Sequence, residues 1–119
     1  MLIREKDRQV LLQIFGEISE PIEVLAYGSR VTNNAHNGSD LDLVIRRYDG
    51  LPVSPNIFLT LRKKIQNSTI PILVDLHDWA LLPKTFHQQI EKQHEILFAQ
   101  KDDNNNNKKI KDKYSAIPE

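Results

Sequence analysis

The chain has 119 residues, with 16 basic and 16 acidic side chains, no formal net charge and no cysteine. This length supports one domain around a single core, and the lack of cysteine excludes disulfides and thiolate metal sites. No apolar run approaches the roughly 20 residues of a membrane span, and the balanced charge gives no strong attraction for nucleic acid or membranes, so we expect a soluble, cytoplasmic domain.

The first third of the chain predicts a helix, a strand and a turn. An apolar stripe at helical spacing runs through residues 2–15. Its members are Ile3, Val10, Leu11, Ile14 and Phe15. Residues 22–27 form a short apolar run that predicts the first strand, and residues 28–30 predict a strand-to-helix turn. Residues 32–38 are rich in Asn and Gly and predict a loop or a single helical turn.

The middle of the chain predicts a strand, a helix and a second strand. Residues 41–47 predict strand two. Ser54 and Pro55 form a good helix start, because a capping side chain is followed by the residue that fits the first helical position. The apolar face of this helix consists of Ile57, Phe58, Leu61 and Ile65. Residues 70–76 predict strand three, in which Pro71 fits only near the beginning or on a sheet edge.

The last part of the chain predicts a helix and a tail. The helix begins at Pro83 or Thr85. Its shared face consists of Phe86, Ile90, Gln93 and Leu97. Residues 101–119 are rich in Asn and Lys without periodicity, which predicts a disordered polar tail without an assigned function. The expected organisation is therefore a folded domain over residues 1–100 and a tail over residues 101–119.

A pair of aspartates stands at the start of strand two. Because alternate side chains lie on one face of a strand, Asp40 and Asp42 are expected to point the same way. The opposite face, towards the core, carries Leu41, Leu43 and Ile45. Two parallel carboxylates repel each other, and a hard cation such as Mg²⁺ relieves that repulsion. The alternative is a solvated strand end in which Ser39 and Asp40 belong to a turn.

A third acid, Asp75, interrupts the apolar run of strand three. Since an unpaired ionised carboxylate is costly to bury, we expect Asp75 to meet a cation, a basic side chain or several hydrogen-bond donors. An ion pair with a buried Arg30 or Arg46 is the alternative to a metal. If strand three pairs beside strand two, Asp75 joins the other two aspartates and the metal interpretation is favoured.

Three neighbouring features complete the prediction for this region. Asp78 stands where the strand gives way to Trp79, which favours a helix cap over a metal ligand. His77 is expected on the opposite strand face from Asp75 and receives no role. The larger apolar side chains are interpreted as core or partner-interface residues rather than a nucleobase platform, and they are Trp79, Phe86 and Ile90.

The turn after strand one has the composition of a phosphate contact. Gly28 lets the backbone come close to a phosphate because it has no side chain. Ser29 adds a hydroxyl donor at the start of the next helical turn, and Arg30 would add positive charge against a triphosphate. An ordinary strand-to-helix turn has the same Gly-Ser composition, so the turn by itself leaves both interpretations open.

The spacing of these motifs carries a family resemblance. The Gly-Ser turn, ten intervening residues and the Asp-x-Asp pair resemble the signature of the DNA polymerase β-like nucleotidyltransferase superfamily. Residues 28–30 and 39–43 resemble the minimal nucleotidyltransferases of prokaryotes in particular. The similarity extends through Asp75 and to the last helix near Phe98, and it leaves the tail uncovered. It implies an α+β fold, a small mixed sheet flanked by helices like the polymerase β palm.

The resemblance also implies roles for the motif residues. Those that would hold the triphosphate of ATP are Gly28, Ser29 and Arg30. Those that would act in catalysis and bind Mg²⁺, as a pair of ions, are Asp40, Asp42 and Asp75. The implied reaction moves AMP from ATP to a hydroxyl group and releases pyrophosphate.

A domain of this size leaves no obvious surface for gripping a second substrate. The resemblance implies a partner: a small all-helical HEPN protein, in a heteromeric toxin–antitoxin pair whose antitoxin is this chain. One alternative is a non-catalytic binding module that neutralises its partner by occlusion and tolerates loss of the aspartates. Another is a stand-alone transferase for a small molecule or an RNA end, although the balanced charge makes direct nucleic-acid binding unlikely.

Overall fold

The computed structural model describes residues 1–36 and 38–100. Its elements in chain order are helix α1 (Glu5–Gly16), strand β1 (Ile22–Tyr27), helix α2 (Ser29–Thr32), strand β2 (Leu41–Arg47), helix α3 (Pro55–Gln66), strand β3 (Val74–Asp78), a 3₁₀ turn (Trp79–Leu81), helix α4 (Lys84–Lys92) and strand β4 (Glu95–Gln100). The predicted tail, residues 101–119, lies outside the described residues, and its disorder stays a prediction.

The four strands form one mixed sheet in the order β3-β2-β1-β4. β1 pairs antiparallel with both β2 and β4, whereas β2 and β3 run parallel. A parallel pair needs a crossover connection, and α3 supplies it between β2 and β3. The predicted α+β architecture with a small mixed sheet and flanking helices is confirmed.

The two faces of the sheet pack against different elements. The larger core lies on the face covered by α1 and α3, and its fully buried side chains include Leu11, Phe15, Ile22, Leu41, Leu43 and Ile45. On the opposite face, Leu25 and Val44 pack with Ile90 of α4. The predicted inward-facing side of β2 is therefore confirmed. None of the helices within residues 1–36 and 38–100 is long and apolar enough to cross a membrane.

Strand three begins later than the sequence predicts. The expected span was residues 70–76, whereas β3 is Val74–Asp78. Pairing with β2 starts where the backbone N–H of Leu41 donates to the carbonyl of Leu73 at 2.9 Å. Pro71 lacks an N–H group and lies before the paired segment, so it does not interrupt the sheet.

The prediction that the last helix carries Leu97 on its apolar face is wrong. α4 ends at Lys92, and Glu95–Gln100 forms β4 along the edge of β1. The exposure of neighbouring side chains has the alternation of a strand, since Ile96 is 57% exposed and Leu97 is 3% exposed. Pairing with the open edge of β1 therefore outweighs the helical spacing in this segment.

Trp79 fastens the 3₁₀ turn to the sheet and to α4. The guanidinium carbon of Arg46 lies 4.4 Å from the Trp79 ring centroid, and the His87 ring stacks on Trp79 with centroids 3.8 Å apart. Two groups so close to the ring centre occupy opposite faces of the indole. Arg46 also forms an ion pair of 2.6 Å with Glu23 on β1. Both indole faces are covered, which agrees with a packing role rather than a nucleobase platform.

Asp78 caps the 3₁₀ turn, as predicted. Its side chain is buried, with one carboxylate oxygen accepting from the backbone N–H of Ala80 at 3.0 Å. The other oxygen accepts from the N–H of Val53 at 2.8 Å. The carboxylate thereby joins the end of β3 to the chain segment that enters α3.

We expect Asp78→Ala to lower the free energy of unfolding by about 1–3 kcal/mol, because two backbone N–H groups lose their acceptor. Asp78→Asn is the intermediate variant: it keeps an acceptor for one backbone N–H but places an NH2 donor against the other, so it should lose part of the stability. Urea denaturation of the three proteins measures the difference. Equal stability of wild type and Asp78→Ala would contradict the capping role.

Candidate active site

The parallel pairing of β2 and β3 brings two of the predicted acids together. Asp42 and Asp75 are direct partners in the register of the two strands. Neighbouring strands lie about 4.8 Å apart, and paired residues point to the same face of a sheet. Asp40, which is exposed, stands just before β2 and two residues from Asp42. The three predicted carboxylates thus cluster at one end of the β2–β3 pair.

The pKa of the Asp42 carboxyl reflects its burial and this clustering. Burial raises the pKa of the Asp42 carboxyl above its ordinary value, and the negative charges of Asp75 and then Asp40 raise it further. His77 acts in the opposite direction, because a positive charge favours the ionised acid. The charges of Asp75 and Asp40 thus oppose ionisation of Asp42.

Tyr27 belongs to the same cluster and was missed by the sequence reasoning. It is the register partner of Asp42 on β1. Burial, followed by the charges of Asp42 and Asp75, raises the pKa of its phenol to about 12. Tyr27 therefore stays a neutral hydroxyl beside the acids. Its position directly before Gly28 is the sequence signal that would have identified it.

The expectation that Asp75 is buried is wrong, since its side chain is 49% exposed. β3 is an edge strand, so one flank of Asp75 faces water despite its apolar neighbours in sequence. The side chain that contacts Asp75 is also different from the two arginines considered. His77 Nε2 lies 3.1 Å from Asp75 Oδ2.

His77 was predicted on the opposite strand face from Asp75, and this prediction is wrong as well. Residues two apart on a strand share a face, which is why the imidazole reaches the carboxylate. The same period-2 rule, applied to residues 75 and 77, was the signal available in the sequence. His77 thus places an imidazole at the rim of the acid cluster.

Gly28 makes room for the carboxylate of Asp42. A Cβ at this position would stand 2.4 Å from Asp42 Oδ2, a distance that real Cβ atoms do not show. The backbone of Gly28 has φ 82° and ψ −158°, a conformation essentially reserved for glycine. Its carbonyl accepts from the N–H groups of Val31 and Thr32 at 3.0 and 3.1 Å and so starts α2. The predicted strand-to-helix turn is present, with Ser29 as the first residue of α2.

Arg30 makes a different set of contacts from the predicted one. Its side chain is buried, and its guanidinium donates to the backbone carbonyls of Ser39 and Leu2. The bonds from Nε and Nη2 to Ser39 measure 3.0 and 2.9 Å. Through these bonds Arg30 holds in place the loop that delivers Asp40 to the cluster, and its contact with a triphosphate stays a prediction.

The donor set suits a hard divalent cation, although the acids do not form a closed cage. Within residues 1–36 and 38–100, no three Asp, Glu, His or Cys side chains are already arranged around a metal position. The cluster instead offers carboxylate oxygens on an open rim, where burial and then the charges of Asp75 and Asp40 raise the pKa of Asp42. Mg²⁺ prefers oxygen ligands and keeps several waters, so the residues fit this ion.

We expect Asp42→Asn to raise the free energy of unfolding at neutral pH. A carboxyl whose pKa is higher in the folded state disfavours folding above that pKa, and this penalty disappears as the pH falls below the ordinary value of 3.8. The gain from Asp42→Asn should therefore vanish in acid. Urea denaturation over a pH series measures it.

Asp49→Asn is the control of opposite sign. Hydrogen bonds from Arg47 lower the pKa of Asp49 to about 2, so its ionised form favours the folded state. This variant should be no more stable than wild type at neutral pH. A loss of stability in Asp42→Asn at neutral pH would show that the Asp42 charge is compensated rather than repelled.

Known proteins resemble this chain in sequence. Residues 9–103 match the family described as Polymerase beta, Nucleotidyltransferase. Over 98 residues the chain is 31% identical to a Haemophilus influenzae protein called probable protein adenylyltransferase MntA. That alignment covers 80% of this chain and 82% of the relative.

Solved structures share the fold. A crystal structure of a toxin–antitoxin with AMP-PNP superposes with a TM-score of 0.62 at 21% identity, covering 85% of this chain and 77% of that one. A crystal structure of the toxin–antitoxin MntA-HepT superposes with a TM-score of 0.58 at 15% identity, covering 96% and 81%. Since the family match spans most of the residues and the relative is 31% identical, the chain belongs to the polymerase β nucleotidyltransferase family, as a minimal nucleotidyltransferase.

Proposed function

We propose that this protein transfers AMP from ATP to a hydroxyl group of a partner protein. The observation that carries the proposal is the register pairing of Asp42 with Asp75 directly beside the Gly28 turn. The relative named as a probable protein adenylyltransferase supports a protein acceptor. The structural neighbour with AMP-PNP supports an adenine nucleotide as the donor.

The proposed partner is a small all-helical HEPN-type protein, and the proposed biological role is that of antitoxin. The structural neighbours are described as toxin–antitoxin complexes, which supports a heteromeric assembly of this kind. The proposed location of this ATP-consuming reaction is the cytoplasm. Without formal net charge, the chain offers a poor match for an RNA acceptor.

The proposed chemistry follows from the positions of the acids and the turn. The backbone at Gly28 and the hydroxyl of Ser29 hold the triphosphate, and the acceptor oxygen attacks the α-phosphorus. The bond from that phosphorus to the bridging oxygen of the β-phosphate breaks, and pyrophosphate leaves. The hydroxyl proton passes to Asp75 or to solvent.

Asp40, Asp42 and Asp75 would hold Mg²⁺, which when bound neutralises phosphate charge during an in-line displacement. The exposed flank of Asp75 suits the acceptor side of the reaction, because a protein hydroxyl must approach from solvent. The more enclosed Asp42, against Gly28, suits the phosphate side. The two acids therefore have different proposed roles, because Asp75 is more accessible to water than Asp42.

The first test is transfer to the partner. Wild type with ATP and Mg²⁺ should increase the intact mass of the co-purified partner by one AMP or more. Asp42→Asn and Asp75→Asn should reduce the rate by at least about 10²-fold, because each would remove a carboxylate that holds the Mg²⁺ whose charge stabilises the transition state. Asp49→Asn is the control, since Asp49 lies on the turn after β2 and should leave the rate unchanged.

The competing function, neutralisation by occlusion, gives the opposite pattern. It needs neither metal nor carboxylates, so both aspartate variants would still neutralise the partner as wild type does. That result, together with no mass change in the partner, would contradict the proposed reaction.

The second test concerns the turn. Gly28→Ala should weaken binding of a non-hydrolysable ATP analogue by at least about tenfold, because the new Cβ displaces the Asp42 carboxylate. Gly50→Ala is the matched control: Gly50 also has a positive φ of 79°, but an added Cβ there meets nothing within 4 Å. Isothermal titration calorimetry measures both. Equal weakening in the two variants would assign the effect to backbone strain alone.

A further inference from the structure

We propose that the outer edge of β3 is the docking site for an extended segment of the acceptor protein, outside its helices, which adds to the sheet as an extra strand and carries its hydroxyl side chain to Asp75. The inference rests on the proposed function for the identity of the reaction. The docking itself is a binding event and is measurable without any transfer of AMP.

The outer edge of β3 carries backbone groups that do not bond to β2. β3 is an outer strand of the sheet, bonded to β2 on one side. The carbonyl of Leu73 accepts from the N–H of Leu41 on β2. Because backbone groups of successive strand residues alternate in direction, those of Val74 and Leu76 point away from β2, towards the open edge. An extended segment satisfies such groups by pairing with them.

The surface along this edge has a shape that suits an extended segment. A groove of about 450 Å³ runs between α3 and the chain segment that leads into β3. Its lining includes Arg62, Ile65, Ile70, Ile72, Leu73 and Asp75. Leu73, just before the strand, is 65% exposed and adds apolar surface to the groove. The groove thus joins an apolar wall to one of the acids of the active site.

The two faces of an added strand would meet different surroundings. Its alternate side chains would turn towards α3, where Ile65 and Arg62 stand, and towards the sheet face that carries Asp75. The acceptor segment should therefore place its hydroxyl residue on the Asp75 side. Apolar residues should occupy the positions before and after the hydroxyl residue, on the α3 side.

The charge on this surface also suits a polypeptide. Among the described residues, Arg62 forms no ion pair with a carboxylate, and its guanidinium lies 6.0 Å from the ring centroid of Phe58. An acidic side chain on the α3 face of the acceptor segment would complement it. A single cation above an apolar wall suits a polypeptide better than a nucleic-acid backbone, which needs clustered positive charge.

The test uses the complex of the full chain with its co-purified partner. Arg62→Glu and Val74→Pro should each raise the Kd for the partner by at least about tenfold. Proline removes the outward N–H of an edge strand and leaves the bonds to β2 in place. Neither variant should change the affinity for a non-hydrolysable ATP analogue, since neither residue belongs to the acid cluster or the Gly-Ser turn.

The controls match each change. Lys63→Glu makes the same charge change one residue along α3, where Lys63 faces the cleft towards α1 instead of this groove. Val74→Ile keeps the backbone N–H. Both controls should bind the partner as wild type does. Hydrogen exchange gives a readout free of substitutions: the amides of Val74 and Leu76 should exchange more slowly in the complex than in the free chain.

The outcomes separate docking from the proposed function. Tight binding with slowed exchange at β3, but without AMP transfer, would support the docking site and overturn the reaction. Wild-type affinity in both Arg62→Glu and Val74→Pro, unchanged exchange at β3, or AMP transfer to an RNA end would overturn the docking site. Failure of the wild-type chain to bind any partner would overturn it as well.

Discussion

The parallel pairing of β2 with β3 is the constraint on which the site depends. Two carboxylates that repel each other are register partners only because the strands that carry them are held by their other face. On that face, Leu43 pairs beside Leu76, and both are buried in the core under α1 and α3. Apolar burial therefore supplies the free energy that keeps the like charges of Asp42 and Asp75 together.

The same arrangement explains why the position of the acids is so well defined. A slip of one residue in a strand exchanges its two faces and would expose the buried leucines. The core face thus fixes the register, and the acids follow from it. Gly28 completes the geometry from β1, because the Asp42 carboxylate occupies the space that a side chain at residue 28 would fill.

Local signals in the sequence were sufficient for much of this structure. The bounds of β1 and β2, the helix start at Pro55 and the capping role of Asp78 all follow from short-range patterns, and the structure has them as predicted. The predicted capping role of the Ser54 side chain is wrong, because that side chain makes no capping hydrogen bond. The order of the Gly-Ser turn and the Asp-x-Asp pair pointed to the family, which the comparisons confirm. These features depend on residues close to one another in the chain.

The features that were missed depend on long-range neighbours. β4 exists because β1 has an open edge, which no window of residues 93–100 reveals. Asp75 is half exposed because β3 is an outer strand, although its sequence neighbours are apolar. The contacts of Arg30 with Leu2 and Ser39 could not be predicted from the sequence, because they depend on how the first residues and the loop before β2 come together.

These contacts of Arg30 also affect how the enzyme responds to its medium. The peptide carbonyls of Leu2 and Ser39 have no charge to lose in mild acid, so their bonds with the Arg30 guanidinium persist there, and such buried bonds are weakly screened by salt. The backbone that presents Asp40 should therefore keep its shape while the carboxylates titrate. A fall in the reaction rate at low pH would then reflect protonation of the reacting groups. It would not reflect a change in the backbone around Asp40.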